Sequence, residues 1–478
     1  MDDDSGGAGR RPPGRAMRAE VPPALFSRRA TRRDVGAPRS EEGRQRGHKA
    51  AWREPASTAH DGPVRVVVIG AGFAGLTAVR TLDGSGADVT LVDHNPYSTF
   101  QPLLYQVATA GLSPSDVAYP LRSFARRNRT RFRRGDLARL DTAARRVVLS
   151  DGGTLDYDYL ILAIGVTAAF FGIPGAAEHS WSLYTRRDAV ALRSRLDAAL
   201  ERLSGAGPGS GLAVTIVGGG ATGVELAGTL AELRNIALPA AYPDADPASL
   251  HVRLIEQADS LITPFDPALR RYAYRQLQQR GVDVRTGTSI SAVSHGSVTL
   301  ADGTELASDI TVWAAGVAAP DLVKDLGLEQ GRHGLLATGQ DLRVHGQSRV
   351  FAAGDIALID GNPVGQLAQP AIQQGRHAAE NIQRLIAGEP TTKFRYFDKG
   401  TMATIGRRSA VVQLPGHLRF RGTIAWFMWL GLHLFYLLGG RNRLSAIVNL
   451  AWRYLTWKRT GGVLAGDEDG ASRELPGR

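Results

Sequence analysis

Cysteine is absent from the 478-residue sequence. Disulfide scaffolds, thiolate metal sites and redox mechanisms that relay electrons through a pair of thiols are therefore excluded. We accordingly predict no metal site. The absence leaves the cellular compartment open, because a protein without cysteine is compatible with oxidising and reducing surroundings alike.

Acidic residues are absent from residues 399–466, which carry ten lysines and arginines. The whole sequence has a net charge of +11, and residues 1–62 hold 13 Lys and Arg against 9 Asp and Glu. The segment between these two ends is nearly neutral. Because the positive charge lies at the ends and not on the segment between them, we predict no nucleic-acid partner.

Periodic apolar patterning is absent from residues 1–62, which are rich in glycine, proline, alanine, serine and arginine. This composition predicts a disordered basic N-terminal extension. Three arginine pairs occur there, but no apolar stretch follows any of them, so we expect no secretory signal. Residues 461–478 are predicted to be a flexible tail.

A buried strand followed by glycines opens the ordered part of the sequence. Val66–Ile69 are four consecutive β-branched residues, as is typical of a central parallel strand. Gly70 then permits a tight turn, Gly72 lets a pyrophosphate approach the backbone, and Gly75 lets the next helix pack closely. A second predicted strand ends on Asp93, an acid that can accept hydrogen bonds from a ribose hydroxyl. The segment predicts a dinucleotide site on a helix N-terminus.

The same pattern occurs a second time. The apolar strand Ala213–Val217 leads into Gly218, Gly220 and Gly223, and a later strand ends on Glu256. A carboxylate at that position favours a free ribose hydroxyl and repels a 2′-phosphate, so this site should prefer NADH to NADPH. Two such segments in one chain imply two dinucleotides.

Three more apolar strands are followed by glycine, which lets a backbone pass close beneath a ligand. They precede Gly165, Gly316 and the pair Gly354 and Asp355. An aromatic and glutamine-rich loop at residues 95–112 could wrap a flat ligand. The alternative is that this loop packs its own aromatic side chains.

Long apolar runs are scarce, and the main one lies near the C-terminus. Residues 422–438 are apolar except for Thr423 and His433, and arginines flank both sides. Seventeen residues are at the short limit for crossing a bilayer, and the symmetric charge gives no inside-outside bias.

A polar stripe at near-helical spacing follows, formed by Ser445, Asn449, Arg453 and Thr456. Together the two segments predict an amphipathic anchor on the membrane surface, with Trp426, Trp429, Phe435 and Leu438 buried in lipid. A single spanning helix and a buried dimer-interface element stay open as alternatives, and an anchor can coexist with a dimer interface.

Several motifs resemble those of the two-dinucleotide-fold flavoproteins, and within them the type II NADH:quinone oxidoreductases. The resemblance covers roughly residues 63–460. It depends on GAGFAG at 70–75, FQPLLYQVAT at 100–109, GGGATGVELAG at 218–228, WAAGV at 313–317, AAGD at 352–355, AQPAIQQG at 368–375 and KGTMATIG at 399–406.

The resemblance implies an α/β fold with two Rossmann-like dinucleotide-binding domains, the NADH domain inserted in the FAD domain, plus a C-terminal amphipathic helical anchor. Asp355 would contact the ribityl-phosphate arm of FAD. The residues so assigned to FAD are Gly70, Gly72, Phe73, Ala74, Gly75, Asp93, Gln101, Gly165, Gly354 and Asp355. Those assigned to NADH are Gly218, Gly220, Gly223, Glu256 and Gly316.

The same resemblance places the quinone near Gln369 and Gln373, with Lys399 nearby. The two glutamines are four residues apart, so on a helix they share a face and could both meet one carbonyl-bearing ring. Glu225 would lie near the contact between nicotinamide and flavin. Its alternative role is that of an acid stabilised by the dipole at the start of a helix.

The expected domains are an FAD-binding domain in two parts, an NADH-binding domain and a region for membrane association and dimerisation. Their limits are 63–180 and 318–395, 181–317, and 396–460. The implied activity is FAD-dependent oxidation of NADH, with two electrons passed to a membrane quinone and no proton pumping. The implied enzyme is a homodimer on the cytoplasmic face of the cell membrane.

Two other functions remain open from the residues alone. The chain could be a soluble NADH-dependent flavin reductase of a small redox carrier. It could also be a flavoprotein whose basic ends bind lipid or nucleic acid. Activity with NADH and a water-soluble quinone would separate an enzyme from a binding module.

Overall fold

The structure is a computed structural model that describes residues 62–205, 210–362 and 364–460. The predicted N-terminal extension, apart from Gly62, and the predicted tail lie outside the described residues. In the described chain the α-helices are α1 Phe73–Leu82, α2 Leu104–Ala108, α3 Leu121–Arg127, α4 Ala176–His179, α5 Arg186–Gly205, α6 Ala221–Glu232, α7 Leu238–Ala241, α8 Pro267–Gln279, α9 Ala368–Ile386, α10 Gly422–Tyr436 and α11 Gly440–Thr460.

The strands of the described chain fall into two five-stranded sheets and several smaller ones. They are β1 Arg65–Ile69, β2 Asp88–Asp93, β3 Tyr97–Thr99, β4 Ala118–Pro120, β5 Arg131–Arg134, β6 Leu137–Asp141, β7 Arg146–Leu149, β8 Thr154–Asp156, β9 Tyr159–Leu162, β10 Thr167–Ala168, β11 Ser180–Ser182, β12 Leu212–Val217, β13 Leu250–Ile255, β14 Asp283–Arg285, β15 Ile290–Ser294, β16 Ser297–Leu300, β17 Glu305–Ala307, β18 Ile310–Trp313, β19 Val317–Ala318, β20 Leu336–Thr338, β21 Val350–Ala352, β22 Ala357–Ile359, β23 Thr401–Gly406, β24 Ser409–Gln413 and β25 Arg419–Arg421.

The first large sheet has the parallel order β21-β9-β1-β2-β5. Its central strand is β1, whose residues Val66–Ile69 are buried, as the run of β-branched side chains predicts. The edge strand β21 comes from about 190 residues further along the chain than its neighbour β9. This sheet is therefore built from two segments that are far apart in the sequence.

The second large sheet lies between those two parts of the sequence and repeats the topology of the first. Its order is β11-β18-β12-β13-β14, again all parallel. An aspartate fixes the central strand of each sheet in the same way. Asp158 accepts the backbone N–H of Arg65 at 2.8 Å, and Asp309 accepts that of Ala213 at 2.7 Å.

Close helix packing joins α1 to α9. A Cβ added at Gly375 of α9 would lie 2.1 Å from the carbonyl oxygen of Ala74 in α1. No side chain fits in that space, so Gly375 allows the two helices to touch. This contact brings the predicted quinone helix against the first glycine-rich turn.

The C-terminal part forms a three-stranded antiparallel sheet, β23-β24-β25, followed by α10 and α11. Gly228 of α6 lies against β23, and a Cβ there would be 2.3 Å from the carbonyl oxygen of Ile405. This close approach of backbone to backbone docks the sheet on the second dinucleotide unit. Within the described residues, every helix is too short or too polar to span a bilayer.

Two tryptophans correct the prediction for α10. Trp426 and Trp429 are only 6% and 2% exposed, because they pack in the hydrophobic core and not on an outer surface. Phe435 is exposed, as predicted, and Leu438 is half-buried. Sequence alone could not separate these residues, since α10 is apolar on most of its circumference.

Candidate functional site

The first glycine-rich turn has the geometry of a phosphate cradle. Gly70 has φ +100°, and a Cβ there would lie 2.2 Å from the carbonyl oxygen of Ala163. Gly75 is equally restricted, because its Cβ would lie 1.8 Å from the carbonyl oxygen of Gly70. At Gly72 a Cβ would meet nothing within 4 Å, so open space lies in front of the first turn of α1. The free N–H groups of that turn face an anion-sized opening.

Asp93 closes one side of this cradle. Its carboxylate accepts the backbone N–H of Ala71 and that of Asn95, each at 2.7 Å. Burial raises the pKa of Asp93, while these two hydrogen bonds lower it. Each carboxylate oxygen has a further lone pair, so the side chain can still accept a ribose hydroxyl.

The second cradle reproduces the first. Gly218 has φ +107°, and a Cβ there would lie 2.5 Å from the carbonyl oxygen of Ala314. The Cβ of Gly223 would lie 1.9 Å from the carbonyl oxygen of Gly218, and that of Gly220 would meet nothing. Open space again faces the N-terminus of α6.

Glu256 corresponds to Asp93 in the second cradle. Its carboxylate accepts the backbone N–H of Gly219 and, at 2.7 Å, that of Ala258. The acid therefore holds the turn and places negative charge beside it. A 2′-phosphate placed there would be repelled.

Near Gly316, the NADH residue predicted from the end of β18, an aromatic ring fills the space. A Cβ at Gly316 would lie 2.5 Å from the Phe171 ring. Phe171 is itself exposed and has φ +52°, a conformation that is uncommon for a residue other than glycine. Only glycine at 316 leaves room for this ring.

Asp355 lies in a half-buried polar group that the sequence did not predict. Tyr184 donates to it and contacts Gln101, while Gly165 lies next to the tyrosine hydroxyl. Burial raises the pKa of Asp355 to about 6, and the Tyr184 hydrogen bond lowers it in part. Three FAD residues predicted from separate motifs thus meet around Tyr184, which belongs to none of those motifs.

Gly354, next to Asp355, is held against α1. It has φ +83°, and its N–H donates to the buried Oε1 of Gln374 at 2.7 Å. A Cβ at Gly354 would lie 3.0 Å from the Ala74 side chain. Gln374, which the sequence did not single out, therefore fixes the end of β21 at the first cradle.

The two predicted quinone glutamines have different surroundings. The Oε1 atom of Gln369 is buried and has no hydrogen-bond partner in the described chain. Gln373 uses both ends of its amide on Phe397, with Nε2 donating to the carbonyl oxygen and Oε1 accepting the N–H, each at 2.9 Å. The expected contact of Gln373 with the quinone stays a prediction, and in this structure the Gln373 amide is occupied by the backbone of Phe397. The spacing showed that the two glutamines share a helix face but could not show the segment that pairs with one of the two amides.

Lys399 follows the segment that Gln373 holds. Its side chain is exposed, and the next residue, Gly400, has φ +90° and donates to Asp398. The Gln373 contact with Phe397 therefore fixes the backbone two residues before Lys399.

Glu225 is buried at the junction of α6, β23 and α10. Only 7% of the residue is exposed, and its Oε1 accepts the N–H of Thr404 at 3.2 Å. Burial raises the pKa of Glu225 to about 8, while Thr404 and the indole of Trp429 lower it in part. A surface acid that only stabilises a helix end would not be desolvated in this way.

Aromatic rings connect this junction with the first cradle. Trp429 stacks on His433 at 4.1 Å, His433 meets Phe100 at 6.2 Å, and Phe100 meets Phe73 at 5.7 Å. Burial lowers the pKa of His433 to about 4, so the imidazole is neutral at pH 7. Part of the loop predicted to wrap a flat ligand thus lies in a row of packed rings.

Comparison with known proteins decides the family. The family model for pyridine nucleotide-disulphide oxidoreductases matches residues 64–375, and that for the NDH2 C-terminal domain matches residues 399–458. The type II NADH:quinone oxidoreductase NdhA of Mycobacterium tuberculosis is 38% identical over an alignment of 422 residues. The alignment covers 84% of this chain and 89% of that protein. This chain belongs to the type II NADH:quinone oxidoreductases. A Staphylococcus aureus member of the family is 30% identical over 365 residues, or 74% of this chain and 90% of that protein.

Solved structures show the same fold. NDH2 from Plasmodium falciparum, solved with NADH, matches with a TM-score of 0.75 at 19% identity, covering 83% of this chain and 99% of that one. The sulfide:quinone oxidoreductase of Aquifex aeolicus matches with a TM-score of 0.67 at 18% identity, over 82% and 94%. The predicted fold class, family, activity and cofactors are confirmed. The enzyme is an oxidoreductase that takes FAD and NADH.

In the C-terminal region of this NADH:quinone oxidoreductase, Ser445 and Asn449 of the predicted polar stripe face the body of the enzyme, and the side chains of Arg453 and Thr456 lie outside the described residues. Asp116, a buried residue, accepts Ser445 Oγ at 2.6 Å and Asn449 Nδ2 at 2.8 Å. Ala446 and Leu450 of α11 pack in the hydrophobic core, while Leu444, Ile447, Val448 and Trp452 are exposed. Large apolar residues of α10 and α11 that are 38% to 66% exposed form what we call the outer apolar set: Ile424, Phe427, Leu432, Phe435, Leu444, Ile447, Val448 and Trp452.

Proposed function

We propose specific roles for the described residues of this FAD-dependent NADH:quinone oxidoreductase. The observation that supports them best is the repeated cradle. Gly72 and Gly220 occupy equivalent turns, and both face open space at a helix N-terminus. One chain therefore offers two sites with the same fit to a pyrophosphate.

The first cradle holds FAD in this proposal. Its glycines admit the pyrophosphate, Asp93 accepts a ribose hydroxyl, and the Tyr184 group places Asp355 toward the ribityl-phosphate arm. Bound FAD supplies the redox chemistry, because it can accept a hydride from NADH and pass two electrons to a quinone. The protein binds, orients and shields the reactants.

The second cradle holds NADH. Gly218, Gly220 and Gly223 admit its pyrophosphate, and Glu256 accepts hydroxyls of the ribose. Gly316 leaves the end of β18 free of a side chain. The domain limits 181–317 for NADH and 63–180 with 318–395 for FAD are part of this proposal.

Gln369 contacts the quinone directly. Its Nε2 can donate to a quinone carbonyl, and the buried Oε1, an acceptor without a partner in the described chain, can accept from a hydroxyl of the quinol that forms. Gln373 has a positioning role, because it fixes the backbone that leads to Lys399. Glu225 is protonated at pH 7 and can donate a hydrogen bond at the junction of the NADH and C-terminal regions.

The outer apolar set contacts the bilayer. Soluble monomers rarely expose so many large apolar side chains on neighbouring helices, whereas a lipid surface would bury them. Seven lysines and arginines within residues 419–459 add attraction to anionic lipid, each worth about 1 kcal/mol. A quinone could then reach α9 without leaving the membrane.

We place the enzyme on the cytoplasmic face and expect a homodimer without nucleic acid. NADH is highly charged and does not cross a bilayer, so its site must face the compartment that contains it. Residues 396–460 form the region for membrane association and dimerisation in this proposal. Light scattering in detergent would test the dimer.

Two glycine variants test the proposal. Gly72→Val should give a folded protein without the flavin absorbance band, because the new side chain enters open space needed by FAD. Gly220→Val, the matched variant of the other cradle, should keep the flavin band but lose its bleaching by NADH. Loss of flavin in both variants, or in neither, would show that the cradles have been assigned wrongly.

A further inference from the structure

A cavity of about 380 Å³ lies beside the cradles. Its walls come from α1, the paired strands β3 and β4, α9, and the residues that join α10 to α11. It lies outside the residues assigned above to FAD and NADH, except that the Phe73 ring forms part of its lining. Its chemistry points to a ligand that neither cradle takes.

Two arginines line the cavity, Arg80 from α1 and Arg376 from α9, and its lining includes no acid. Neither arginine forms an ion pair with a described residue. Arg80 stacks on the Phe124 ring at 5.3 Å. Burial lowers the pKa of Arg80, and Arg443 lowers it further. Because the positive charges of these arginine side chains lie close together with no carboxylate in the lining, an anion bound in the cavity would be stabilised.

Two further arginines hold the rim. Arg127 donates to the Tyr119 hydroxyl at 3.0 Å, and Arg443 donates from Nε to the carbonyl oxygen of Leu437 at 2.7 Å. Both acceptors line the cavity. The rim is therefore positively charged, as are the exposed arginines of the lining, and hydroxyls of Thr77, Ser98 and Thr99 add polar groups to the wall.

The other wall is apolar and continues toward the outer apolar set. Ile372 and the consecutive residues Tyr436, Leu437 and Leu438 form it. Phe435, the residue before them, is exposed and belongs to the outer apolar set. Because Arg80 and Arg376 are both exposed, the cavity thus joins a cationic opening to a surface suited to lipid chains.

We propose that this cavity binds the headgroup of an anionic phospholipid. The phosphate lies with Arg80 and Arg376, and an acyl chain follows Leu437 and Leu438 toward Phe435. Arginine suits a phosphate because its planar guanidinium offers several donors to the phosphate oxygens. The bound lipid would anchor the stretch between α10 and α11 to the body of the enzyme. This inference goes beyond the oxidoreductase activity and uses the proposed membrane-facing role of Phe435.

The test titrates the full-length, FAD-loaded enzyme in detergent with soluble short-chain lipids. Dioctanoylphosphatidylglycerol should bind saturably at one site per chain, and dioctanoylphosphatidylcholine more weakly. Arg80→Gln combined with Arg376→Gln should weaken the phosphatidylglycerol Kd by about thirtyfold, since each charge is worth about a fivefold change. The matched control, Arg271→Gln with Arg275→Gln on α8, removes the same charge from exposed residues outside the cavity lining and should leave the Kd unchanged.

Each contrary outcome identifies a different occupant. Equal binding by the double variant and the wild type, or equal binding of the two lipids, would overturn the proposal. Saturable binding of inorganic phosphate alone with the same dependence on Arg80 would show a site for free phosphate. A raised KM for a water-soluble quinone without lipid would show instead that the cavity belongs to the quinone path, one helical turn from Gln369 and Gln373.

Failure of this inference can be told apart from failure of the proposed function. Lipid binding is measured without vesicles and without turnover. Reduction of ferricyanide by NADH reports separately that the variants fold and hold FAD. A variant with normal ferricyanide activity and normal lipid affinity would contradict only the cavity assignment.

Discussion

Replacement of Asp116 by alanine should release α11 from the body of the enzyme. The buried carboxylate accepts Ser445 and Asn449 of α11 and also the backbone N–H of Ser113 at 2.9 Å. A hydrogen bond to a charged group contributes about 1.5–3 kcal/mol, so the two bonds from α11 stabilise its docking by about 3 kcal/mol or more. The ratio of docked to undocked helix should then fall about a hundredfold.

Two measurements detect this release. Trypsin should cleave after Arg441 and Arg443 faster in Asp116→Ala, and flotation with phosphatidylglycerol vesicles should weaken because the outer apolar set is no longer held outward. A double-mutant cycle with Ser445→Ala and Asn449→Ala should show a coupling of about 2 kcal/mol or more.

The control is Asp398→Ala, an acid that accepts a hydrogen bond only within its own loop, from Gly400. It should behave like the wild type in both assays. If Asp116→Ala were cleaved and floated like the wild type, or if the cycle gave no coupling, the reasoning that Asp116 sets the orientation of α11 would be refuted.

Three further predictions concern the reaction centre. Gln369→Leu should slow flavin reoxidation by quinone in stopped-flow experiments and leave flavin reduction by NADH intact. The control variant Gln366→Leu, which changes an exposed neighbour, should alter neither rate. If flavin reduction by NADH were impaired in Gln369→Leu, Gln369 would belong to the flavin site or the fold. Glu256→Gln should narrow the preference for NADH over NADPH by removing charge repulsion, whereas an unchanged ratio of kcat/KM would contradict the role of Glu256. Because the folded pKa of Glu225 is raised from 4.5 to about 8, wild-type stability should decline as pH rises from 4.5 to 8, by up to about 1.4 kcal/mol per pH unit from this group. Glu225→Gln should remove that part of the slope in urea unfolding measured across this range, and identical slopes would show that the carboxyl is not desolvated.

Local sequence was sufficient to predict the two cradles. The tight turn at Gly70 or Gly218 and the close helix contact at Gly75 or Gly223 leave no room for a side chain. The need for glycine therefore appears within a few neighbouring residues of the sequence. The strand before each cradle is buried on both faces and therefore reads as an apolar run.

Other features depend on packing between distant segments. Tyr184, Gln374 and Asp116 act on residues far away in the sequence, and no periodicity marks them. The sequence could not distinguish the Gln373 amide from that of Gln369, because only the tertiary structure places the segment containing Phe397 against Gln373.

The orientation of the C-terminal helices shows most plainly which features depend on local sequence and which depend on packing. The sequence by itself determined that residues 422–460 are apolar, basic and helical, because composition and spacing are local properties. Only the tertiary structure decided which side faces outward. Trp429 is buried because it packs in the hydrophobic core, whereas Ile447 is exposed because it lies on the side of α11 opposite Ser445 and Asn449. The buried Asp116 carboxylate holds those two polar residues inward from a loop more than 300 residues earlier.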